Sequence, residues 1–247
     1  PNDPDTQSAA QKFLAGYYGL VTGVDENVGR LLAWLDSAHL AEDTIVYLVS
    51  DHGEMAYEHG CRGKKVCYEA SMRVPLIARW PRGWPAGRVV EHLVDPAVDT
   101  MPTLLTACGL PIPPEVQGTS FAGLLAGDDE PIRDAVYYQV LLEKEGPEAT
   151  PIPERGLRTR RWLYMRTPDA PQMLFDLAAD PLEMNNLVAS PAHADVMREL
   201  DAITAEYMSI TGDDWDIQAV FPPTDFLPHS EGKAIYHRTL PTAIVEP

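Results

Sequence analysis

An aspartate and a histidine stand side by side at positions 51 and 52, followed by Gly53, and their residue types suit metal chemistry. Carboxylate oxygens and imidazole nitrogens both bind divalent cations. Neighbouring side chains on a strand face opposite ways, but a glycine just beyond it permits a tight turn that brings both to one point. The pair therefore predicts part of a metal site. A helix cap followed by a surface histidine is the alternative interpretation.

A cationic segment follows this pair. Residues 61–88 carry seven Lys and Arg side chains against one acidic residue, Glu69, a balance of 7 − 1 = +6, whereas the whole chain has 19 basic and 37 acidic residues and a net charge of −18. A local positive charge in an acidic protein predicts recognition of a compact anion such as sulfate or phosphate, with a solvated basic surface as the alternative. The overall charge excludes general binding to nucleic acid or to anionic membranes.

The elements around the pair predict an α/β fold. Apolar residues recur every three or four positions over residues 7–37, the period of a long helix that buries one face. Residues 44–50 form a β-branched apolar run, typical of a strand buried on both faces of a parallel sheet. The pair follows that strand, at the edge where open α/β sheets bind ligands. Further on, the pattern predicts a strand over residues 74–78 and a helix over residues 101–108 capped by Asp99 or Thr100.

Three parts are predicted along the 247 residues. Residues 1–127 form part of the α/β core, and residues 128–211 form a small subdomain. It has three strand-like runs, over residues 135–142, 156–165 and 172–177, and one helix over residues 192–208. Strands followed by a helix predict a small antiparallel sheet with the helix packed on it. Residues 212–247 are a tail rich in proline and aromatic residues, predicted to lie on the body of the protein or to join copies in a homo-oligomer.

Cysteine usage bears on the compartment. The three cysteines, Cys61, Cys67 and Cys108, are too few for a disulfide framework and favour a reducing, cytoplasmic environment. A periplasmic or secreted location stays open, because the sequence starts at Pro1 without Met and any upstream targeting segment is not visible.

Several ordered motifs resemble the type I sulfatase family of the alkaline phosphatase superfamily. The motifs are Leu48-Val49-Ser50-Asp51-His52-Gly53-Glu54, Glu58-His59-Gly60, Gly63-Lys64, Tyr68-Glu69 and Arg73-Val74-Pro75-Leu76-Ile77, with further matches at residues 24–32, 98–105, 109–111, 117–120, 174–177 and 180–187. The resemblance spans about residues 10–205. It implies an alkaline phosphatase-like sandwich with a mainly parallel central sheet.

The resemblance also implies roles for individual residues. Asp51 and His52 would be ligands of one divalent metal ion, and Lys64, 13 positions after Asp51, would contact the sulfate or phosphate oxygens. His59 would donate a proton to the leaving group or support the loop. Lys65 could share the anion role of Lys64, and Arg73 is interpreted as a structural residue at the start of a strand.

The residue type at position 52 leaves the identity of the metal and the class of substrate open. Many family members carry asparagine where this chain has His52, and histidine resembles the variant of some bacterial sulfatases and of phosphonate or phosphodiester hydrolases. Calcium is the first expectation, with manganese, zinc, magnesium or iron open, because imidazole also suits softer ions. The sequence thus predicts a sulfate ester hydrolase, with a phosphonate monoester or phosphodiester hydrolase as the alternative and a noncatalytic interaction domain as the alternative of another class.

The family's nucleophile is not visible. Sulfatases use a formylglycine made from a C/S-x-P-x-R motif, together with two aspartates near the N-terminus, and no cysteine here has proline two places on and arginine four places on. We interpret the three cysteines as packing residues and the chain as the C-terminal half of the enzyme. An N-terminal half would be its partner and would supply the nucleophile. Expressed alone, the chain is expected to aggregate or to show no hydrolysis of aryl sulfates.

Overall fold

The computed structural model describes residues 3–140 and 153–215. Five α-helices and six strands lie in these ranges: α1 Pro4–Ser37, β1 Val46–Val49, α2 Glu69–Met72, β2 Leu76–Arg79, α3 Pro96–Ala107, α4 Ala122–Ala126, β3 Ala135–Val140, β4 Glu154–Thr159, β5 Trp162–Arg166, β6 Pro171–Asp176 and α5 Ala194–Thr211. No helix among the described residues is long and apolar enough to span a bilayer.

The long helix α1 confirms the predicted element but not its burial. Asp3 caps it by accepting the backbone N–H of Thr6, and Pro4 occupies its first turn, where a missing N–H costs nothing. Of its 34 residues only Leu35 is buried. Most of the apolar side chains that predicted a buried face lie exposed instead, among them Leu20, Val24 and Leu31. Within the described residues, these three side chains are left largely uncovered.

Strands β1 and β2 pair with each other, Val46 opposite Arg79 and Val49 opposite Leu76, in an antiparallel two-stranded sheet. The expectation of parallel pairing is therefore wrong for these two strands. The expectation of a strand buried on both faces is also wrong, because β1 is half-buried over three residues and exposed at Val49. A parallel neighbour and two covering layers would be needed for such burial, and the described part of the chain supplies neither.

The C-terminal portion confirms a small antiparallel sheet with a packed helix. Its four strands follow chain order, β3-β4-β5-β6, and each pairs antiparallel with the next. The single run predicted over residues 156–165 is two strands, because the Thr159 hydroxyl accepts the backbone N–H of Trp162 at 2.8 Å and closes a turn between them. Alternate side chains serve opposite faces: Tyr164 packs towards Leu200 of α5, and Leu163 packs with Phe175 on the other face.

Helix α3 begins five residues earlier than predicted. Asp95 is its cap and accepts the backbone N–H of Ala97, so the assignment of the cap to Asp99 or Thr100 is wrong. Asp99 is fully buried and accepts the backbone N–H groups of Asp95 and Thr119, each at 2.8 Å, as well as the guanidinium of Arg133. This carboxylate thus ties α3 to the loop after it.

The division into residues 1–127, 128–211 and 212–247 stays a prediction. Within the described residues, Gly127 ends α4 at the first boundary and Gly212 ends α5 at the second. Residues 141–152, and residues 216–247 of the predicted tail, lie outside the described residues.

Candidate active site

An open cleft of 2170 Å³ lies between the β1–β2 sheet and the C-terminal sheet. Four cationic or metal-binding side chains predicted from the sequence line it: His52, Lys64, Lys65 and Arg73, together with the carboxylate of Asp51. The cleft is also lined by residues of β3, by Arg158 of β4 and by Arg160 just after it, the β3 residues including Tyr137, Tyr138 and Gln139. Residues separated by more than a hundred positions therefore share one cleft.

Asp51 and His52 follow β1 and converge as predicted. The Nε2 atom of His52 lies 3.3 Å from Oδ2 of Asp51, and its Nδ1 lies 2.8 Å from the carbonyl oxygen of Gly53. A carbonyl only accepts, so Nδ1 donates this hydrogen bond and Nε2 is the ring nitrogen that faces the Asp51 carboxylate. The backbone N–H of His52 donates to Asp51 Oδ1 at 3.0 Å and is the main cause of a lowered pKa for this carboxyl, whose side chain is 81% exposed.

These two side chains fit a metal ion. Cis ligands at about 2.2 Å from one ion lie roughly 3 Å apart, close to the observed separation of the two free donor atoms. The hydrogen bond from Nδ1 to a backbone carbonyl is the usual support of a metal-binding imidazole. In residues 3–140 and 153–215 no cluster of three potential His, Cys, Asp or Glu ligands occurs. A metal ion held by Asp51 and His52 would therefore need further ligands from elsewhere.

Gly53 is required because the backbone of α2 passes too close to it for a side chain, and not because its φ angle is left-handed. Its N–H donates to the carbonyl of Ser71 at 2.8 Å, and a Cβ at this position would lie 2.0 Å from the carbonyl oxygen of Ala70. The tight-turn explanation is therefore replaced by a steric one. The glycine thus allows the backbone just after Asp51 and His52 to pack directly against the backbone of α2.

Lys64 lies in a loop held by a carboxylate. The backbone N–H of Gly63 donates to Glu54 Oε1 at 2.6 Å, and the carbonyl of Gly63 accepts the N–H of Met55 at 2.8 Å. Gly63 and Lys65 both have positive φ angles, +80° and +73°, on either side of Lys64. Both lysines are exposed and both line the cleft.

The cationic segment divides into structural and cleft-lining residues. Arg62 lies over the rings of Phe13 and Tyr57, at 5.1 and 5.4 Å from their centroids. Three further arginines bind elsewhere: Arg79 pairs with Asp36, Arg82 with Asp43, and Arg88 donates to the carbonyl of Leu124. Lys64, Lys65 and Arg73 remain along the cleft.

Arg73 does not brace the strand as interpreted from the sequence. Its side chain is 79% exposed, and its guanidinium Nη1 lies 4.0 Å from Glu69 Oε2. Three positively charged side chains of the segment, Lys64, Lys65 and Arg73, can therefore contact a ligand in the cleft. Their combined charge is enough to bind one compact anion.

The structure places His59 against protein side chains. Its ring stacks on Tyr68 at 4.1 Å between centroids, its Nε2 lies 4.0 Å from Glu183 Oε2, and 14% of its side chain is exposed. These contacts match the supporting-loop interpretation. Proton donation to a leaving group stays a prediction.

Glu183 and Arg158 are residues whose contribution the sequence analysis missed. Arg158 of β4 donates to both oxygens of Glu69, at 2.8 and 3.1 Å. Glu183 is 4% exposed, and its burial, reinforced by the charges of Glu69 and Glu58, raises its pKa to about 7. Glu183 stands in one of the motifs that resemble the sulfatases, and this was the only sequence signal for it.

The fold and the cleft define a protein of the alkaline phosphatase-like class. A family profile described as "N-sulphoglucosamine sulphohydrolase, C-terminal" matches residues 57–208, and one described as "Sulfatase" matches residues 2–110. The chain belongs to the sulfatase family and represents the C-terminal portion of the family pattern.

Individual relatives agree with this assignment. The ulvan-active sulfatase of Formosa agariphila is 33% identical over 87% of this chain and 42% of that protein. The N-acetylglucosamine-6-O-sulfatase of Bacteroides thetaiotaomicron is 31% identical over 79% of this chain and 36% of that protein. The solved phosphonate monoester hydrolase SpPMH of Silicibacter pomeroyi is 28% identical, with a TM-score of 0.72 over 98% of this chain and 48% of that chain. The chain thus spans less than half the length of these relatives.

Proposed function

We propose that the protein containing this chain is a metal-dependent hydrolase of sulfate esters. The observation that carries the proposal is the convergence of two metal-binding atoms, on Asp51 and His52, in the same cleft as Lys64. Relatives described as sulfatases support the reaction class.

Asp51 and His52 would hold one divalent ion, which when bound offsets the charge of the ester oxygens and orients the ester. Calcium is our first expectation, and the imidazole nitrogen keeps manganese, zinc and magnesium open. Lys64 would bind a nonbridging oxygen of the sulfate group and stabilise the charge that grows there in the transition state. Lys65 would share this role, because it lies along the same cleft.

The nucleophile would come from a region of the protein outside these 247 residues. Cys67 is unsuited, because complete burial raises the pKa of its thiol well above the ordinary value and because Glu69 and Ser71 stand where the formylglycine motif has proline and arginine. The neighbouring charges of Glu154, Glu183 and Glu69 add to that rise. Cys61 and Cys108 also lack the C-x-P-x-R pattern.

The exposed face of α1 would be the contact with that other region. Gly19 and Gly23 leave open space beside Leu20, Val24 and Leu31, which together line a shallow apolar groove. Apolar helix faces of this size are normally buried against another element. Expression of residues 1–247 alone should therefore give aggregates or protein without aryl sulfatase activity, and sustained turnover by this chain alone would contradict the proposal.

Phosphonate monoester hydrolysis is the second candidate. The structure of SpPMH superposes over 98% of this chain. Sulfate esters and phosphonate monoesters both present a tetrahedral, negatively charged group that a metal ion and a lysine could bind in the same cleft. A phosphonate monoester and a sulfate monoester each carry one negative charge at neutral pH, so the same lysines would suit either.

A side-by-side rate comparison tests the proposed function. The intact protein would be assayed on 4-nitrophenyl sulfate and on the 4-nitrophenyl ester of phenylphosphonate, with and without a chelator. We expect higher kcat/KM on the sulfate ester and loss of both activities with the chelator. A preference for the phosphonate ester would favour the second candidate. If the metal-loaded protein hydrolyses neither ester, the noncatalytic interaction domain is the interpretation that remains.

A further inference from the structure

The loop that carries Lys64 has a strained backbone conformation, which persists only with support from surrounding contacts. Four residues other than glycine have φ angles in the left-handed region between positions 56 and 65: Ala56 at +46°, Tyr57 at +74°, His59 at +51° and Lys65 at +73°. Each such residue costs of order 1 kcal/mol or more, and such conformations persist only where surrounding contacts impose them. The contacts that impose them therefore determine where Lys64 and Lys65 lie.

Two carboxylates provide these contacts, one from inside the loop and one from far along the chain. Glu54 binds the Gly63 backbone, as described above. Glu183, 114 residues beyond Glu69, accepts the Glu69 backbone N–H with both oxygens at 3.1 Å. Its Oε2 also lies 4.0 Å from Nε2 of His59. Glu183 thus contacts the segment on both sides of the two lysines.

Glu183 is itself held in an unusual conformation. Its φ angle is +55°, in the left-handed region, and the residue is 4% exposed. Burying a carboxylate is costly unless hydrogen bonds or charges compensate. The Glu69 N–H and the Arg158 guanidinium offset part of that cost, and Arg158 also donates to the Glu69 side chain. The residue and its partners form one network between the cleft loop and the C-terminal sheet.

Aromatic packing reinforces this network. Tyr68 stacks on His59 and lies 5.9 Å from the ring of Phe175 on β6, while Cys67 is buried against the same face of the sheet. The C-terminal sheet is therefore in direct contact with the segment that follows Lys64.

We propose that Glu183 is a positioning residue for Lys64 and Lys65, which clamps the segment from His59 to Glu69 so that both lysines face the cleft. The catalytic consequence of this clamp rests on the proposed function, whereas the clamp itself does not. The C-terminal subdomain would accordingly contribute to the anion site without touching the substrate.

The clamp is tested first without catalysis, by hydrogen exchange in the intact protein. Glu183→Ala should speed exchange of the Glu69 amide and of the segment 59–69 by about tenfold or more. Glu199→Ala, which removes an exposed glutamate of α5, is the matched control and should leave this segment unchanged. Glu183→Gln keeps one acceptor oxygen and should give an intermediate effect. Unchanged exchange in Glu183→Ala would overturn the proposal whatever the protein hydrolyses.

The positioning role is tested by a double-mutant cycle on 4-nitrophenyl sulfate. Glu183→Ala should lower kcat/KM by about tenfold or more in the wild-type background, but by less than about twofold in the Lys64→Ala background. Equal losses in both backgrounds would show that Glu183 does not act through Lys64. Faster exchange in Glu183→Ala, together with a wild-type protein that hydrolyses neither the sulfate nor the phosphonate ester, would remove the proposed function and leave the clamp standing.

Discussion

Nε2 of His52 lies 3.3 Å from Oδ2 of Asp51, and the proton on the opposite ring nitrogen is donated to the backbone carbonyl of Gly53. This arrangement brings a carboxylate oxygen and an imidazole nitrogen to the same point of the cleft, and the Gly53 carbonyl orients the ring. The chain bends at Asp51 as it leaves β1.

Metal binding should depend on this pair. The intact protein should hold about one equivalent of divalent ion, and Asp51→Ala should lower that content severalfold, because one of few ligands is lost. Metal analysis after gel filtration measures it. Asp169→Ala removes an exposed aspartate of the β5–β6 turn and should retain the wild-type metal content. Equal metal in both variants would contradict the assignment of Asp51.

A methyl group at Gly53 should disrupt the site. Gly53→Ala would place Cβ 2.0 Å from the Ala70 carbonyl oxygen, so backbone must move, at a cost of about 1–3 kcal/mol of unfolding free energy or more. Thermal unfolding and metal content measure the effect. Gly29→Ala in α1 meets nothing within 4 Å and should instead stabilise by up to about 1 kcal/mol. A neutral Gly53→Ala would show that the close approach is not required.

The buried carboxylate of Asp99 should matter more than any exposed ion pair. Asp99→Ala leaves the Arg133 guanidinium and two backbone N–H groups without their acceptor, which we expect to cost about 3–5 kcal/mol in urea-induced unfolding. Asp195→Ala breaks the exposed pair with Arg198 and should cost less than about 1 kcal/mol. Similar losses for the two variants would refute the structural role of Asp99.

Glu183 should make stability depend on pH. Burial raises its pKa to about 7, against 4.5 for the free side chain, so the folded state binds more protons than the unfolded state between these values. The free energy of unfolding should therefore fall as pH rises from 4.5 to 7, by an amount of order 3 kcal/mol. The charges of Glu69 and Glu58 raise this pKa, while Arg158 and the Glu69 amide lower it.

Glu183→Gln should flatten that dependence, because glutamine does not titrate. Melting temperatures between pH 4.5 and 7.5 measure it, and Glu199→Gln should keep the wild-type slope. The same slope in Glu183→Gln would place the pH dependence elsewhere.

Much of the fold could be predicted from local patterns. The period of α1, the apolar run of β1 and the order of strands and helix in the C-terminal portion each reflect short-range sequence, and each element is present. The position of Asp51 and His52 after β1 could also be predicted, because only chain order was needed.

The partners of these elements could not be predicted. Pairing direction depends on which strand lies alongside, and β1 meets β2 in antiparallel register. The start of α3 was misplaced because Asp95 and Asp99 are equally good capping residues, and only burial against Thr119 and Arg133 distinguishes them. The contact of Glu183 with Glu69 joins positions 114 apart, for which no local pattern gives a signal.

The most direct test of the proposed reaction is the value of kcat/KM for 4-nitrophenyl sulfate in Lys64→Ala, with Lys12→Ala on the exposed surface of α1 as control. Loss of a charge that stabilises the transition state should lower kcat/KM by about 100-fold or more, whereas Lys12→Ala should match the wild type. A Lys64→Ala protein within about twofold of wild type would contradict the account of this cleft as the sulfate site.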